Sequence, residues 1–390
     1  MRLRRKPATM LACLLVASLT VVQAGSNRAQ LGEKRSVALP SFAVLDENAD
    51  PVISAGGKIG FLSSVTSGSL ISFSVSTGRV LSTTVVGETV GPVSMIEGDG
   101  RRLVAVAAAN DPGSGHPATV SIIDATRARR LELRSLLILP TDAVITPATR
   151  PFLTADGKFC LIASSFNEPA LFSFDVESGQ MISRLSLVGQ PSELALYDRQ
   201  GRRRMAVASA VANNLSIIKI DDAGELSSSA SFSPAGARFD QANNPAFGAD
   251  GRTVYIASTG GDKLFAIDVE TGGESSSLAV KSPKRVTVAA SEDNRELIGI
   301  TRLQREDDDK PGGAVIAVNT GGSLSVKSEF APPDGIQFSR ANNIVFSQDA
   351  AVAFIGSTTG VLFAFSTETG ELESHEAIGS ELRRIALSEA

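Results

Sequence analysis

The stretch "NNPAFGADGRTVYIASTGGDKLFAIDVETGG", residues 243–273, indicates how the whole chain folds. A short apolar piece is followed by a turn at Asp250-Gly251, a nearly continuous apolar strand, and a third strand that ends in Glu-Thr-Gly-Gly. Residues 253–258 are rich in β-branched and aromatic side chains, which favour strands. The next residues, "ESSSLAV", are more polar. The pattern therefore predicts a small antiparallel sheet with "ESSSLAV" as its outer edge strand.

The same unit recurs along the chain. Strong copies are "DPVISAGGKIGFLSS" at 50–64, "RPFLTADGKFCLIAS" at 150–164 and "NIVFSQDAAVAFIGS" at 343–357, with weaker copies between them. The second residues of their turns occupy positions 57, 100, 157, 201, 251, 294 and 350, so the spacing is 43 to 57 residues. Self-similarity at such a period is typical of repeat architectures. We count seven units.

A radial arrangement of sheets explains this repeat. The second and third strands are apolar on both faces, so both faces of each sheet need cover. Neighbouring sheets stacked around an axis provide it, whereas no long stretch shows the helical period. We predict an all-β fold: a seven-bladed β-propeller of four-stranded antiparallel blades, forming one domain over residues 35–390.

The two ends of this domain leave an alternative open. "RSVALP", residues 35–40, resembles an outer strand that completes the last blade, followed by a long linker of the kind that precedes units one, three, five and seven. "ELRRIALSEA", residues 381–390, resembles the first strand of another unit. An eight-bladed propeller, with the chain truncated in mid-repeat, is the alternative.

The N-terminus indicates export. "MRLRRKPAT" is basic, an apolar run follows, and "VQA" ending at Ala24 is a small-residue cleavage site, so we expect residues 1–24 to be a signal peptide and 25–34 a flexible segment. The apolar run is too short for a transmembrane anchor. Export implies the periplasm, the cell surface or the extracellular space, where the remaining Cys160 has no disulfide partner within the chain.

Charge and sequence similarity narrow the class of protein. The chain has 37 basic and 42 acidic residues, and removing the four basic residues of the signal takes the formal charge from −5 to −9, which disfavours nucleic acid. "DGRTVYIASTGGDKLFAIDVETG" resembles the YVTN-type repeat of lactonase-like β-propellers, with its D-G turn, Y-V strand and D-x-x-T-G end. The Asn that closes the Y-V-x-N string is replaced by Ser164, Ser258 and Ser357, which indicates a divergent member.

The resemblance implies that ligands bind one face, built from the loops between second and third strands and from the linkers that enter each blade. Polar residues gather in these segments. The candidates are Asn110, Asp111, His116, Asn167, Glu168, Asn213, Asn214, Asn243, Asn244, Asp262, Asn342 and Asn343. Because Asn and Asp also favour turns by capping the backbone, their presence fits a structural role as well as a binding role.

Metal and catalytic signals are weak. Asp307, Asp308 and Asp309 are candidate Ca²⁺ ligands, but they lack the spaced D-x-D-x-D-G pattern and fit a solvated loop equally. His116 and His375 lie in different units without a Cys or His neighbour, so we expect no zinc site, and no cofactor is expected. The chain has no G-x-S-x-G elbow, and Cys160 sits in an apolar strand that favours a buried, inert thiol.

These observations favour an exported, non-catalytic, monomeric scaffold that binds a protein, a glycan or another surface ligand. Two alternatives remain open. One is a lactonase-like hydrolase, which needs acidic and amide side chains converging near the channel. The other is a propeller module of a larger cell-surface protein.

Overall fold

The computed structural model describes residues 37, 39–40, 43, 51–65, 67–110, 116–165, 168–290, 295–302, 312–338 and 343–377. Over these residues the chain forms strands, with a single 3₁₀ turn at Thr259–Gly261. None of the helical structure in the described ranges is long and apolar enough to cross a bilayer.

Within the described ranges, twenty-eight strands form seven four-stranded antiparallel sheets, which we call blades 1 to 7 in chain order. Blades 1 to 4 consist of β1–β4 (Val52–Ile53, Ile59–Ser64, Ser69–Ser74, Val80–Val85), β5–β8 (Thr89–Gly98, Arg101–Ala109, Thr119–Asp124, Glu132–Ile138), β9–β12 (Phe152–Leu153, Phe159–Ser164, Ala170–Asp175, Met181–Ser186) and β13–β16 (Glu193–Arg199, Arg202–Ser209, Asn214–Ile220, Leu226–Phe232). Blades 5 to 7 consist of β17–β20 (Pro245–Phe247, Thr253–Ser258, Lys263–Asp268, Glu274–Ala279), β21–β24 (Pro283–Ala290, Glu296–Arg302, Gly313–Val318, Leu324–Phe330) and β25–β28 (Val345–Phe346, Val352–Gly356, Val361–Ser366, Leu372–Ala377).

The seven-bladed propeller prediction is confirmed, and each blade coincides with one sequence unit. The turn between first and second strands needs a positive φ, which Gly251 supplies at 65°. A Cβ at Gly251 would also lie 2.3 Å from the ring of Tyr197 in blade 4. In blade 7 the same place is taken by Ala350, which adopts φ 53°.

The hydrophobic core lies between blades. On one side of blade 3, Ile162 and Phe172 pack against Val120 of blade 2. On the other side, Leu161 packs against Met205 of blade 4. Alternate residues of one strand therefore point into two different cores, which is why the strands are apolar throughout.

The blades are also grouped in pairs. The connections before blades 3, 5 and 7 run over 139–151, 233–244 and 331–344, whereas blades 2, 4 and 6 follow after short connections, as the alternation of linkers predicted. An acidic residue of each even blade accepts a hydrogen bond from the turn of the preceding odd blade. The pairs are Glu97 with the amide of Ala55, Asp198 with Ala155 at 2.6 Å, and Glu296 with Ala249 at 2.6 Å.

The N-terminal segment lies beside blade 1. The fourth strand of blade 7 is its own β28, and residues 35, 36 and 38 lie outside the described residues, so the expectation that residues 35–40 complete the last blade stays a prediction. Val37 is buried against Leu62, Ile71 and Phe73 of blade 1. Residues 381–390, and with them the expected extra strand, lie outside the described residues.

Candidate functional site

The directions of the strands place the predicted binding residues that the structure describes at one end of the propeller. Second strands end, and third strands begin, at the same edge of each blade where the linker from the preceding blade arrives. We call this end the linker face. Asn110, His116, Asn213, Asn214 and Asp262 lie in or beside its loops, Glu168 follows a second strand, and Asn243, Asn244 and Asn343 lie at the ends of linkers. The other candidates, Asp111, Asn167, Asn342 and Asp307, Asp308 and Asp309, lie outside the described residues.

Asn213 and Asp262 occupy equivalent left-handed positions just before a third strand, with φ of 50° and 49°. Asn213 donates from Nδ2 to the carbonyl of Ala237 at 2.8 Å and accepts from the amide of Phe239 at 2.9 Å. Asp262 accepts from the amide of Ser282 at 2.8 Å. Both side chains hold a linker against the blade that it leaves.

Asn243 is fully buried and holds three segments together. Its Oδ1 accepts from the amide of Asp240 at 2.7 Å, and its Nδ2 donates to Thr259 Oγ1 at 3.0 Å and to the carbonyl of Lys284 at 2.9 Å. Because these groups are satisfied by the protein itself, Asn243 has no free polar atom for a ligand.

The side-chain amides of Asn244 and Asn214 are also held by hydrogen bonds within the protein. Asn244 pairs with the backbone of Val286 in blade 6, accepting from its amide at 2.9 Å and donating to its carbonyl at 2.8 Å. Asn214 donates to Ser233 Oγ at 3.1 Å. These contacts join linkers to blades and one blade to the next.

Two further amides keep a buried oxygen without a hydrogen-bond partner in the described part of the chain. Asn110 donates to the carbonyl of His116 at 3.3 Å, while its Oδ1 is unpaired. Asn343, at the repeat position of Asn244, likewise has an unpaired Oδ1. Across the described ranges, no three His, Cys, Asp or Glu side chains come together as a metal site. The role of the linker face in binding stays a prediction.

The first strands carry an ion pair that sequence reasoning missed. Arg285 of β21 donates from Nη2 to Glu193 Oε1 of β13 at 2.8 Å, across blade 5. Arg285 is only 7% exposed, and its Nε has no partner among the described residues. The two residues occupy equivalent places in their units, immediately before the alternating apolar residues of the first strand. Their opposite charges were the sequence signal for an ion pair. First strands line the axis of a propeller, so this pair lies toward the central channel.

Among the described residues, one outer strand carries three exposed large apolar side chains. On β8 of blade 2, Leu133, Leu136 and Ile138 are 61%, 43% and 56% exposed. Met181 of β12, in the next blade, is exposed as well. Fourth strands were predicted to be polar, and β8 departs from that rule. The apolar residues in its sequence, "ELRSLLI", were the sequence signal for this exposed surface.

Two other potentially reactive side chains, those of Cys160 and His375, make structural contacts. Cys160 is fully buried, and burial raises the pKa of its thiol to about 12, which removes the thiolate needed for nucleophilic attack at neutral pH. His375 of β28 stacks on Phe363, with ring centroids 6.1 Å apart.

Comparisons with known proteins show the fold. No family model and no curated protein sequence matches the chain. A functionally unknown protein from Desulfotomaculum acetoxidans DSM 771 is 17% identical with a TM-score of 0.57, covering 83% of this chain and 98% of that one. The β-propeller domain of Cps50 (Swd1) from Myceliophteria thermophila gives 12% and 0.51, with coverages of 76% and 93%. The C-terminal WD40 domain of Sif2 gives 10% and 0.56, with coverages of 85% and 88%. At these identities only the β-propeller architecture is shared.

Proposed function

We propose that this protein is a non-catalytic interaction scaffold that binds an extended polypeptide segment along β8. The observation that carries the proposal is the row of exposed Leu133, Leu136 and Ile138 on the outermost strand of blade 2. An apolar edge strand offers backbone groups for pairing and apolar side chains for contact, the two requirements for strand addition.

The surroundings of β8 define the kind of partner. Arg127, Arg129 and Arg130 are exposed immediately before the strand, in a chain whose formal charge is negative overall. Inside the strand Arg134 pairs with Glu177 of the next blade, so its charge is partly neutralised. An apolar strip beside a basic loop fits a segment with alternating apolar residues and acidic residues at one end.

A peptide-library selection tests this proposal. The full chain is used to select random peptides, and we expect binders with alternating apolar residues flanked by Asp or Glu. Affinity should fall at least tenfold in the double variant Leu133→Glu, Leu136→Glu, because two charges would replace the apolar contacts. Reversing Arg127 and Arg129 to Glu should weaken binding and reduce its dependence on salt.

Matched controls separate β8 from the rest of the surface. Leu372→Glu alters an exposed apolar residue of another outer strand, β28, and Val211→Glu alters one on the linker face. Both should leave binding unchanged. Peptides that bind the β8 variant as well as the original chain, or that lose binding only with Val211→Glu, would refute the proposal and favour the linker face.

The proposal also includes export of the protein and its membership of the YVTN-type, lactonase-like propellers. Export is supported by the basic, apolar and small-residue order of residues 1–24. Membership of the YVTN-type, lactonase-like propellers is supported by the D-G turn and the D-x-x-T-G end of the repeat, which in blade 5 form the turn at Gly251 and the turn at Asp268.

A further inference from the structure

We infer that blades 4 and 5 bind a terminal phosphate group, either free or as a monoester, between the side chains of Arg199, Arg202 and Arg252. The site lies at the end of the propeller opposite the linker face, where first strands turn into second strands. We call this end the turn face. All three arginines are exposed there, and the site shares no residue with β8.

Arg199 and Arg202 close the hairpin between β13 and β14. They are direct partners in its register, and the turn between them is Gln200-Gly201, with φ of 55° and 71°. Side chains of directly opposed residues lie on the same face, with their Cβ atoms about 4.5–5.5 Å apart. Because like charges at such a pair destabilise a hairpin, the fold itself does not account for these two arginines.

Tyr197 fixes the side of the hairpin on which this pair lies. It precedes Arg199 by two residues in β13, so both side chains lie on the same face. Its hydroxyl donates to the carbonyl of Ala249 in blade 5 at 3.4 Å, and its ring lies against Gly251 of the same turn. Arg252 directly follows Gly251. The hairpin tip of blade 4 therefore presents its arginines beside the blade 5 turn that carries Arg252.

Arg199 and Arg202 differ in their ion pairing from the next arginine of the hairpin. Arg203, on the opposite face, pairs with Asp156 at 2.7 Å and with Asp198 at 3.3 Å. Within the described ranges, neither Arg199 nor Arg202 has a carboxylate partner. Their guanidinium groups are therefore free to bind an anion from solution.

Arg204 lies at the base of the site. It is opposite Tyr197 in the register, so its side chain is on the face turned to blade 5. Its Nη2 pairs with Glu270 at 3.1 Å, whereas its Nε is buried without a partner in the described part of the chain. The other carboxylate is that of Asp250, which accepts from the amide of Arg252 at 2.9 Å. Four guanidinium groups and two carboxylates leave two positive charges uncompensated.

This excess of charge matches a terminal phosphate group. At pH 7 such a group carries a charge of about −1.5 to −2 and has three acceptor oxygens. Each guanidinium can donate two parallel hydrogen bonds to a pair of those oxygens, which a lysine cannot do. A phosphate diester has one negative charge and two free oxygens, so it should bind more weakly.

The equivalent place between blades 2 and 3 lacks this arrangement. Gly98 is the register partner of Arg101 and takes the repeat position of Arg199. Lys158 takes the position of Arg252 and lies 4.0 Å from a carboxylate of its own turn. Arg101, which is exposed, is therefore a matched control for the arginines of the inferred site.

Isothermal titration calorimetry tests the site. The full chain is titrated with inorganic phosphate, with glycerol 3-phosphate and with the diester dimethyl phosphate. Affinity for the first two should fall about tenfold or more in the double variant Arg199→Ala, Arg202→Ala. The variant Arg199→Lys, Arg202→Lys keeps both charges but loses the paired donors, so it should lie between the alanine variant and the original chain. Dimethyl phosphate should bind about tenfold more weakly than either monoanionic or dianionic terminal phosphate.

The control variant Arg79→Ala, Arg101→Ala removes two exposed arginines of the turn face that lie outside the site. It should bind both ligands like the original chain. An equal loss of affinity in this variant would overturn the inference, because the attraction would then belong to the whole surface. Absence of phosphate binding to the full chain, or equal binding of dimethyl phosphate, would overturn it too. Tighter binding of glycerol 3-phosphate than of inorganic phosphate would assign the site to monoesters, and the reverse order to the free anion.

A second measurement needs no variant. Phenylglyoxal modifies accessible guanidinium groups, and mass spectrometry locates them in the full chain. Inorganic phosphate should slow the modification of Arg199, Arg202 and Arg252 and leave that of Arg79 and Arg101 unchanged. Equal protection of all five arginines, or of none, would contradict a site between blades 4 and 5.

Discussion

At the scale of single residues, three buried serines explain why this chain departs from the Y-V-x-N string. Ser164 and Ser258 end the second strands of blades 3 and 5, Ser357 directly follows the second strand of blade 7, and all three are fully buried. Ser164 Oγ accepts from the amide of Val144 at 3.1 Å and lies 3.2 Å from its carbonyl, and Ser258 Oγ donates to the carbonyl of Arg238 at 2.7 Å. A short hydroxyl suffices because the long linker passes directly over the strand end.

Asn243 gives the sharpest test at this scale. Replacement by Ala would leave the amide of Asp240, the hydroxyl of Thr259 and the carbonyl of Lys284 without their present partner. We expect Asn243→Ala to lower the free energy of unfolding by about 2–3 kcal/mol, since buried polar groups lose their hydrogen bonds. Urea unfolding of the full chain measures this.

The control is the exposed Asn319, whose side chain contacts only nearby serines at the surface. Asn319→Ala should change stability by no more than about 0.5 kcal/mol. Equal effects of the two substitutions would show that the Asn243 network does not stabilise the fold.

At the scale of single elements, the turn between third and fourth strands depends on an ionised Asp. In blade 5, Asp268 Oδ1 accepts from the amide and hydroxyl of Thr271 at 2.7 and 2.8 Å, and from the amide of Glu270. The hydrogen bond from the Thr271 amide, followed by that from its hydroxyl, holds the pKa of Asp268 below its ordinary value. Ser178 does the same for Asp175 in blade 3.

A pH titration of stability tests this turn. The unfolded pKa of Asp is about 3.9 and the folded value is lower, so the turn stabilises the fold above about pH 4, and this stabilisation is lost as pH falls through the folded pKa. Asp268→Asn should therefore be less stable than the original chain at pH 7, by about 1 kcal/mol, and the difference should shrink below pH 4. The exposed Asp334→Asn serves as control. A difference independent of pH would contradict the role of the charge.

Local pattern predicts the elements better than the contacts between them. The turn at Asp250-Gly251 and the apolar run of 253–258 specify strands and their order because each depends on neighbouring residues only. The Glu193–Arg285 pair joins residues far apart in the chain, and the apolar rim of β8 depends on what covers a strand. Local pattern contains the two charges and the apolar residues of β8, but it specifies neither the pairing of the charges nor the exposure of the strand. The Asn and Asp residues of the linker face were recognisable as polar turn residues, but their partners lie on linkers and in other blades.

At the scale of the whole molecule, the repeat has a period of two blades. Long linkers enter odd blades, and carboxylates of even blades hold the turns of odd blades at Ala55, Ala155 and Ala249. Because each blade buries both faces against its neighbours, stability is shared between adjacent blades rather than contained in one.

The central claim is that seven four-stranded sheets stand radially and exclude water from both of their faces. A crystal structure of the full chain tests it most directly. We expect seven sheets with the strand order found here, and the carboxylates of Asp198 and Glu296 within hydrogen-bond distance of the amides of Ala155 and Ala249. Helices between the strands, or two sheets packed face to face without a common axis, would contradict it.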